Sequence, residues 1–147
     1  MINKILVPVD GSQNSMKALR MALEMAEKFN AKLAVLSVAV QKPIGDVVLV
    51  GLKEERDFVR EAMAAAMTDA KSVLEAAENL IAAAKLEAEF EVKAGEPADV
   101  ILTEALDKNA DCIVMGCRGL SGLEQFLLGS VSNKVVNHAN IPVFVVK

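Results

Sequence analysis

Four stretches of this chain are apolar almost without a break: Ile5-Leu6-Val7-Pro8-Val9, Leu33 through Val40, Cys112-Ile113-Val114-Met115 and Pro142-Val143-Phe144-Val145-Val146. A strand with one face in water alternates polar and apolar residues, whereas a strand without alternation is covered on both faces. Between these runs the apolar period changes to that of a helix. Met16, Leu19, Leu23, Ala26 and Phe29 follow the first run, Ile101, Leu102 and Ala105 precede the third, and Val131, Val135, Val136 and Ala139 precede the last. Glu89-Phe90-Glu91-Val92-Lys93 alternates strictly, which predicts a fifth strand with one wet face, toward an edge. Strands alternating with helices predict one α/β domain over residues 1–147, a parallel sheet between two helical layers with right-handed crossovers.

The punctuation agrees with this order. Pro8 cannot donate to a ladder, so it belongs at the carboxyl end of the first strand. Asp10 or Ser12 can cap the next helix, Asn30 can end it, and Pro97 opens a later helix that ends near Asn109. Gln41 to Leu52, with Pro43 and Gly45, reads as a connection. Lys53 to Lys85 holds neither Gly nor Pro, and Val59, Met63, Ala66, Ala70, Val73, Ala77, Leu80 and Ala84 keep a helical period. Such a helix would run about 50 Å, roughly twice what crossing a sheet requires. Either it breaks near Thr68-Asp69 or its first half overhangs the domain.

Composition narrows the function classes. Hydrophobic residues make up 53% of the 147, too many for a disordered chain. A net charge of −4 lacks the basic face of a general nucleic-acid binder. No run has signal-peptide character or the roughly 18 apolar residues of a membrane span, so the expected compartment is the cytosol. Cys112 and Cys117 are then expected to be reduced thiols, Cys112 in the core and Cys117 in a loop as an accessible thiol. Without a second pair or a nearby histidine they do not suggest zinc.

One segment carries glycine and hydroxyl chemistry where a strand gives way to a helix. Met115-Gly116-Cys117-Arg118-Gly119 follows the third apolar run, and Gly129-Ser130-Val131-Ser132 opens the last helix. N–H groups in a helix's first turn have no intrahelical partner and sit at the positive end of the dipole, a ready anion site. Ser130 and Ser132 add hydroxyls and Arg118 a cation. The same spacing also fits an ordinary capped strand-to-helix turn. In open parallel sheets, ligands sit beyond the carboxyl ends of the strands where strand order reverses. Pro8-Val9-Asp10-Gly11 lies at such an end too, so the two loops would flank one crevice if their strands are neighbours.

Gly116, two residues, Gly119, nine residues, Gly129 and Ser130, together with Ile5 to Ser12 at one end and Ile141 to Val146 at the other, make the chain resemble the universal stress protein family in its ATP-binding branch. The resemblance covers nearly the full length. It implies a Rossmann-like three-layer α/β/α fold, with five strands in the order 3-2-1-4-5 and ATP, or AMP or ADP, between strands one and four. It implies that Pro8, Val9 and Asp10 line the adenosine side, that Val38 offers backbone groups to the adenine, and that Met115 and Gly116 flank the sugar. Arg118, Gly119, Gly129, Ser130, Val131 and Ser132 would hold the triphosphate. It also implies a homodimer. The last strand, apolar yet at an edge, supports one through Ile141 to Lys147.

The Walker arrangement of a lysine after a glycine loop is absent. Phosphate charge would be met by backbone N–H groups, Arg118 and Mg²⁺ or Mn²⁺ held mainly by phosphates and water. Glu124 reads as a solvated loop charge and His138 as a cap or surface residue near the end of the last helix. No Ser-His-Asp set assembles. The expectation is a nucleotide-binding regulatory protein of the stress response, with slow hydrolysis at most. Its rivals are a nucleotide-free interaction module docking through Ala62 to Met67, and a slow ATP hydrolase on the same scaffold.

Overall fold

A computed structural model describes residues 1–40, 53–118 and 127–147. Five strands, β1 (Lys4–Pro8), β2 (Lys32–Ala39), β3 (Ala88–Ala94), β4 (Cys112–Gly116) and β5 (Val143–Val146), form one parallel sheet in the order β3-β2-β1-β4-β5. The helices are α1 (Gln13–Phe29), α2 (Lys53–Ala84), α3 (Pro97–Asp107) and α4 (Ser130–His138). The Rossmann-like class and strand order are those expected.

The uninterrupted apolar runs follow from burial on two faces. Ile5 and Val7 of β1, Leu33 and Val35 of β2 and Val114 of β4 pack under α1 and α2, against Leu19, Ala22, Leu74, Ala77 and Ile81. Their neighbours in sequence, Leu6, Ala34, Leu36, Ile113 and Met115, pack on the other face against Ala98, Ile101 and Ala105 of α3 and Val135 of α4. Some expected stripe residues lie outside these cores: Phe29 and Val136 are exposed, and Val59, Met63 and Ala66 on the first half of α2 are only half-buried.

Ser12 caps α1, its Oγ accepting from the Ser15 N–H at 3.2 Å. Asn30 ends the helix in the left-handed region at φ 55°, and its N–H closes on the Ala26 carbonyl. The possible break in α2 does not occur. Thr68 turns its hydroxyl back onto the Ala64 carbonyl at 3.0 Å instead of capping a new helix. Among the described side chains of α2, burial begins only at Ala70. The Gln41 to Leu52 connection lies outside the described residues.

β3 and β5 are the two edges, and they differ. On the α3 side of β3, Lys108 reaches three carboxylates: Glu91 at 2.7 Å, Glu89 at 3.4 Å and Glu104 at 3.8 Å. Lys93 adds Glu91 at 2.8 Å and the buried Glu104 at 3.5 Å. Hydrogen bonds from Lys108 and then Lys93 hold the Glu91 carboxyl down at about 2, against an ordinary 4.5. A depressed carboxylate stabilises the fold fully above its unfolded value and loses that contribution as pH falls toward the folded one. The stability of the chain should therefore fall between about pH 4.5 and pH 2. Lys108→Met should cost about 1–2 kcal/mol at pH 7 and flatten that acid limb, as read from urea midpoints at pH 7 and pH 3. An acid limb of unchanged steepness in the variant would show that the network contributes nothing.

Candidate functional site

β1 and β4 are neighbours, but they pair only at Ile5 with Cys112 and Leu6 with Ile113. Past that point each strand belongs to its other neighbour. β1 stays with β2 through Pro8 and Leu36, and β4 stays with β5 through Gly116 and Val146. The sheet thus splits at its carboxyl end, where the strand order reverses. Pro8, Val9 and Asp10 follow one lip, and Met115, Gly116 and Cys117 follow the other.

Most of these residues offer backbone, not side chains. Val9 and Met115 are buried in the two cores, and the Val9 N–H is committed to the Leu36 carbonyl at 2.8 Å. Asp10 is exposed and its Oδ1 accepts from the Ser12 N–H at 2.9 Å, which shapes the turn into α1. Val38 is half-buried one residue before the end of β2.

Gly116 is a site of close approach. A Cβ there would stand 2.8 Å from the Asn14 carbonyl carbon and 2.8 Å from the Ser15 nitrogen, so the first turn of α1 lies directly on it. Gly129 precedes α4 with φ −62° and ψ 162°, ordinary extended values, and makes no side-chain cap. Its missing Cβ would meet the Cys117 oxygen and the Arg118 Cα, each at 3.3 Å. Glycine is there for space, not for its dihedral freedom.

The base of the loop is closed by one residue, Cys117. The Cys117 N–H donates to the Val146 carbonyl at 2.8 Å. Its carbonyl accepts from the Gly129 N–H at 2.8 Å and from the Ser132 Oγ at 2.6 Å. Ser132 is 2% exposed, and its hydroxyl also lies 3.0 Å from the Gly129 carbonyl. Ser130 is exposed, Val131 and Arg118 half-buried. The N–H groups of Ser130, Val131 and Ser132 have no partner within the helix, because its first internal bond runs from the Asn133 N–H to Gly129. Gly119 and Glu124 lie outside the described residues.

Cys117 is not the accessible thiol its loop position suggests. It is 4% exposed, and its backbone is tied to Val146 of β5 and to the start of α4. Both cysteines are unpaired, and burial pushes the Cys112 thiol up to about 11. His138 is exposed at the far end of α4, its Nδ1 2.8 Å from the Lys134 carbonyl. It lies about 12 Å along the helix from Ser130, so it takes no part in the mouth of α4. Sequence reasoning missed the closure by Cys117. Its only trace was a buried-type serine two residues after Ser130.

Among the described residues no helix is long and apolar enough to cross a membrane, and no three His, Cys, Asp or Glu side chains cluster as metal ligands. The chain is 36% identical over 148 residues to the universal stress protein YxiE of Bacillus subtilis, covering all of both chains. A universal stress protein solved in complex with cAMP superposes with a TM-score of 0.70 at 28% identity, over 99% of this chain and 97% of that one. The universal stress protein of Archaeoglobus fulgidus, solved in complex with dAMP, gives 0.66 at 25%, over 100% and 98%. The model of the universal stress protein family matches residues 1–147, and the chain belongs to that family.

Proposed function

We propose that this chain is a nucleotide-dependent regulatory protein of the stress response that binds ATP in the split between β1 and β4. The observation that carries this reading is the mouth of α4. Three first-turn amides without a partner inside the helix, and the exposed Ser130, lie at the start of α4, which follows β4, one of two strands that have parted at their carboxyl ends. Such amides suit a phosphate chain. The cAMP and dAMP bound by two of the relatives share an adenine, a pentose and one phosphate, which favours an adenylate over other anions. In this reading Pro8, Val9, Asp10 and Val38 meet the adenosine, Met115 and Gly116 the sugar, and Arg118, Gly119, Gly129, Ser130 and Val131 the phosphates. A divalent ion, Mg²⁺ or Mn²⁺, would be held mainly by phosphate oxygens and water, with Asp10 at the same crevice; among the described residues no acidic cluster offers a protein-made cage. The free thiols fit a cytosolic setting. Calorimetric titration with ATP, ADP and AMP tests the reading. Saturable heat with ATP at micromolar concentration is expected. Heat of dilution alone for all three would leave a nucleotide-free interaction module.

The same reading includes a homodimer through β5, for which the two edges supply the argument. β3 carries Glu89, Glu91 and Lys93 along its length, whereas β5 carries only valine and phenylalanine, and Phe144 is 43% exposed. An uncharged apolar edge recruits another strand, and pairing with its own copy makes a two-fold contact. Sedimentation at micromolar concentration should give twice the 15.7 kDa chain mass, and Phe144→Lys should give the single chain. A monomeric parent protein would remove the dimer from the proposal.

A further inference from the structure

The hydroxyl of Ser132 stands where a phosphate ligand would be expected, yet it is already engaged within the protein. It is buried, and its short bond runs to the Cys117 carbonyl. The same carbonyl takes the Gly129 N–H, and the N–H of Cys117 is tied to the Val146 carbonyl of β5. Two bonds from the start of α4 therefore converge on one oxygen at the end of β4, across the eleven residues that separate Cys117 from Gly129.

We infer that Ser132 is a positioning residue: its hydroxyl contacts no ligand but clasps the first turn of α4 to the Cys117 carbonyl, so that the Ser130 and Val131 amides are aimed before a nucleotide arrives. A buried hydroxyl with a carbonyl partner is satisfied, and redirecting it to a phosphate would leave that carbonyl with one bond fewer. Binding to donors that are already ordered avoids the cost of ordering them. The consequence for affinity rests on the proposed nucleotide reading, whereas the clasp itself does not.

The two are separated by measuring amide hydrogen exchange in the nucleotide-free protein. Ser132→Ala should speed exchange of the Gly129 amide by tenfold or more, while the Val114 amide in β4 keeps the parent rate. Ser132→Thr, which retains a hydroxyl, should return Gly129 to within about threefold of the parent. Where ATP binds the parent, the Ala variant should lose about tenfold in affinity and the Thr variant little. An unchanged Gly129 rate in Ser132→Ala would overturn the clasp, whatever happens to affinity. So would equal acceleration at Gly129 and Val114, which marks a general loss of stability, or a Thr variant that exchanges as fast as the Ala one. Failure of ATP to bind the parent would sink the functional reading and leave the exchange result standing.

Discussion

Gly116→Ala should destabilise the chain by about 3 kcal/mol relative to the parent, at the upper end of what inserting one carbon into a filled space costs. The added Cβ would sit 2.8 Å from two backbone atoms of α1, and backbone cannot step aside as the end of a long side chain can. Either α1 lifts from β4, opening the core around Leu19 and Val114, or the end of β4 bends away from β5. With a denaturant slope of about 2 kcal/mol per molar urea, the midpoint should drop by about 1.5 M. The measurement is made without nucleotide, which gives it discriminating force. A glycine retained only to let a ligand approach would leave the nucleotide-free protein within about 0.5 kcal/mol of the parent. That result would assign Gly116 to the ligand alone and dismiss its packing role.

Gly129→Val should behave in the opposite way, leaving the fold standing and removing the nucleotide. Valine tolerates φ −62° and ψ 162°, and the position is only half-buried, so the loss should stay within about 2 kcal/mol, the worth of the bonds at the start of α4. The side chain would nevertheless enter the 3.3 Å space beside the Cys117 oxygen and the Arg118 Cα, and its two methyls need more room than a Cβ. The start of α4 must shift outward, and with it the amides proposed to hold phosphate. A displacement of about 1 Å is enough to spoil several hydrogen bonds at once. Affinity for ATP should fall at least about a hundredfold, a loss of about 2.8 kcal/mol. Titration of parent and variant side by side decides it. Parent-like binding by Gly129→Val would place the phosphates elsewhere and end the proposal for this helix mouth.

Some of this could be read directly from residue order. The strands were legible because Ile5 to Val9 and Cys112 to Met115 are apolar on both alternating sets of positions, which only a doubly covered sheet requires. The start of α1 at Ser12 and the wet face of β3 were legible from local chemistry. The roles of Gly116 and Ser132 were not. The neighbour that makes Gly116 indispensable is Asn14, about a hundred positions away in sequence, brought there by the crossing of α1 over β4. Ser132 reads as one more donor for a ligand until the Cys117 carbonyl is found 2.6 Å from it. Burial of Cys117 was hidden for the same reason, since nothing local says which way the chain leaves the sheet. Thr68 leaves two readings open, and the unbroken helix decides between them. It is a good cap by type, but inside a helix with no other stop signal it bonds to the preceding turn.

The unlike flanks of the sheet also set a limit on assembly. A sheet with adhesive strands at both sides could add copies in either direction and grow into a ribbon. Here the Glu89–Glu91–Lys93 side is laced with ion pairs that a newcomer would have to break. In the proposed dimer, growth from the Val143–Val146 side alone would end once two copies had met, because each would use up the other's single receptive margin.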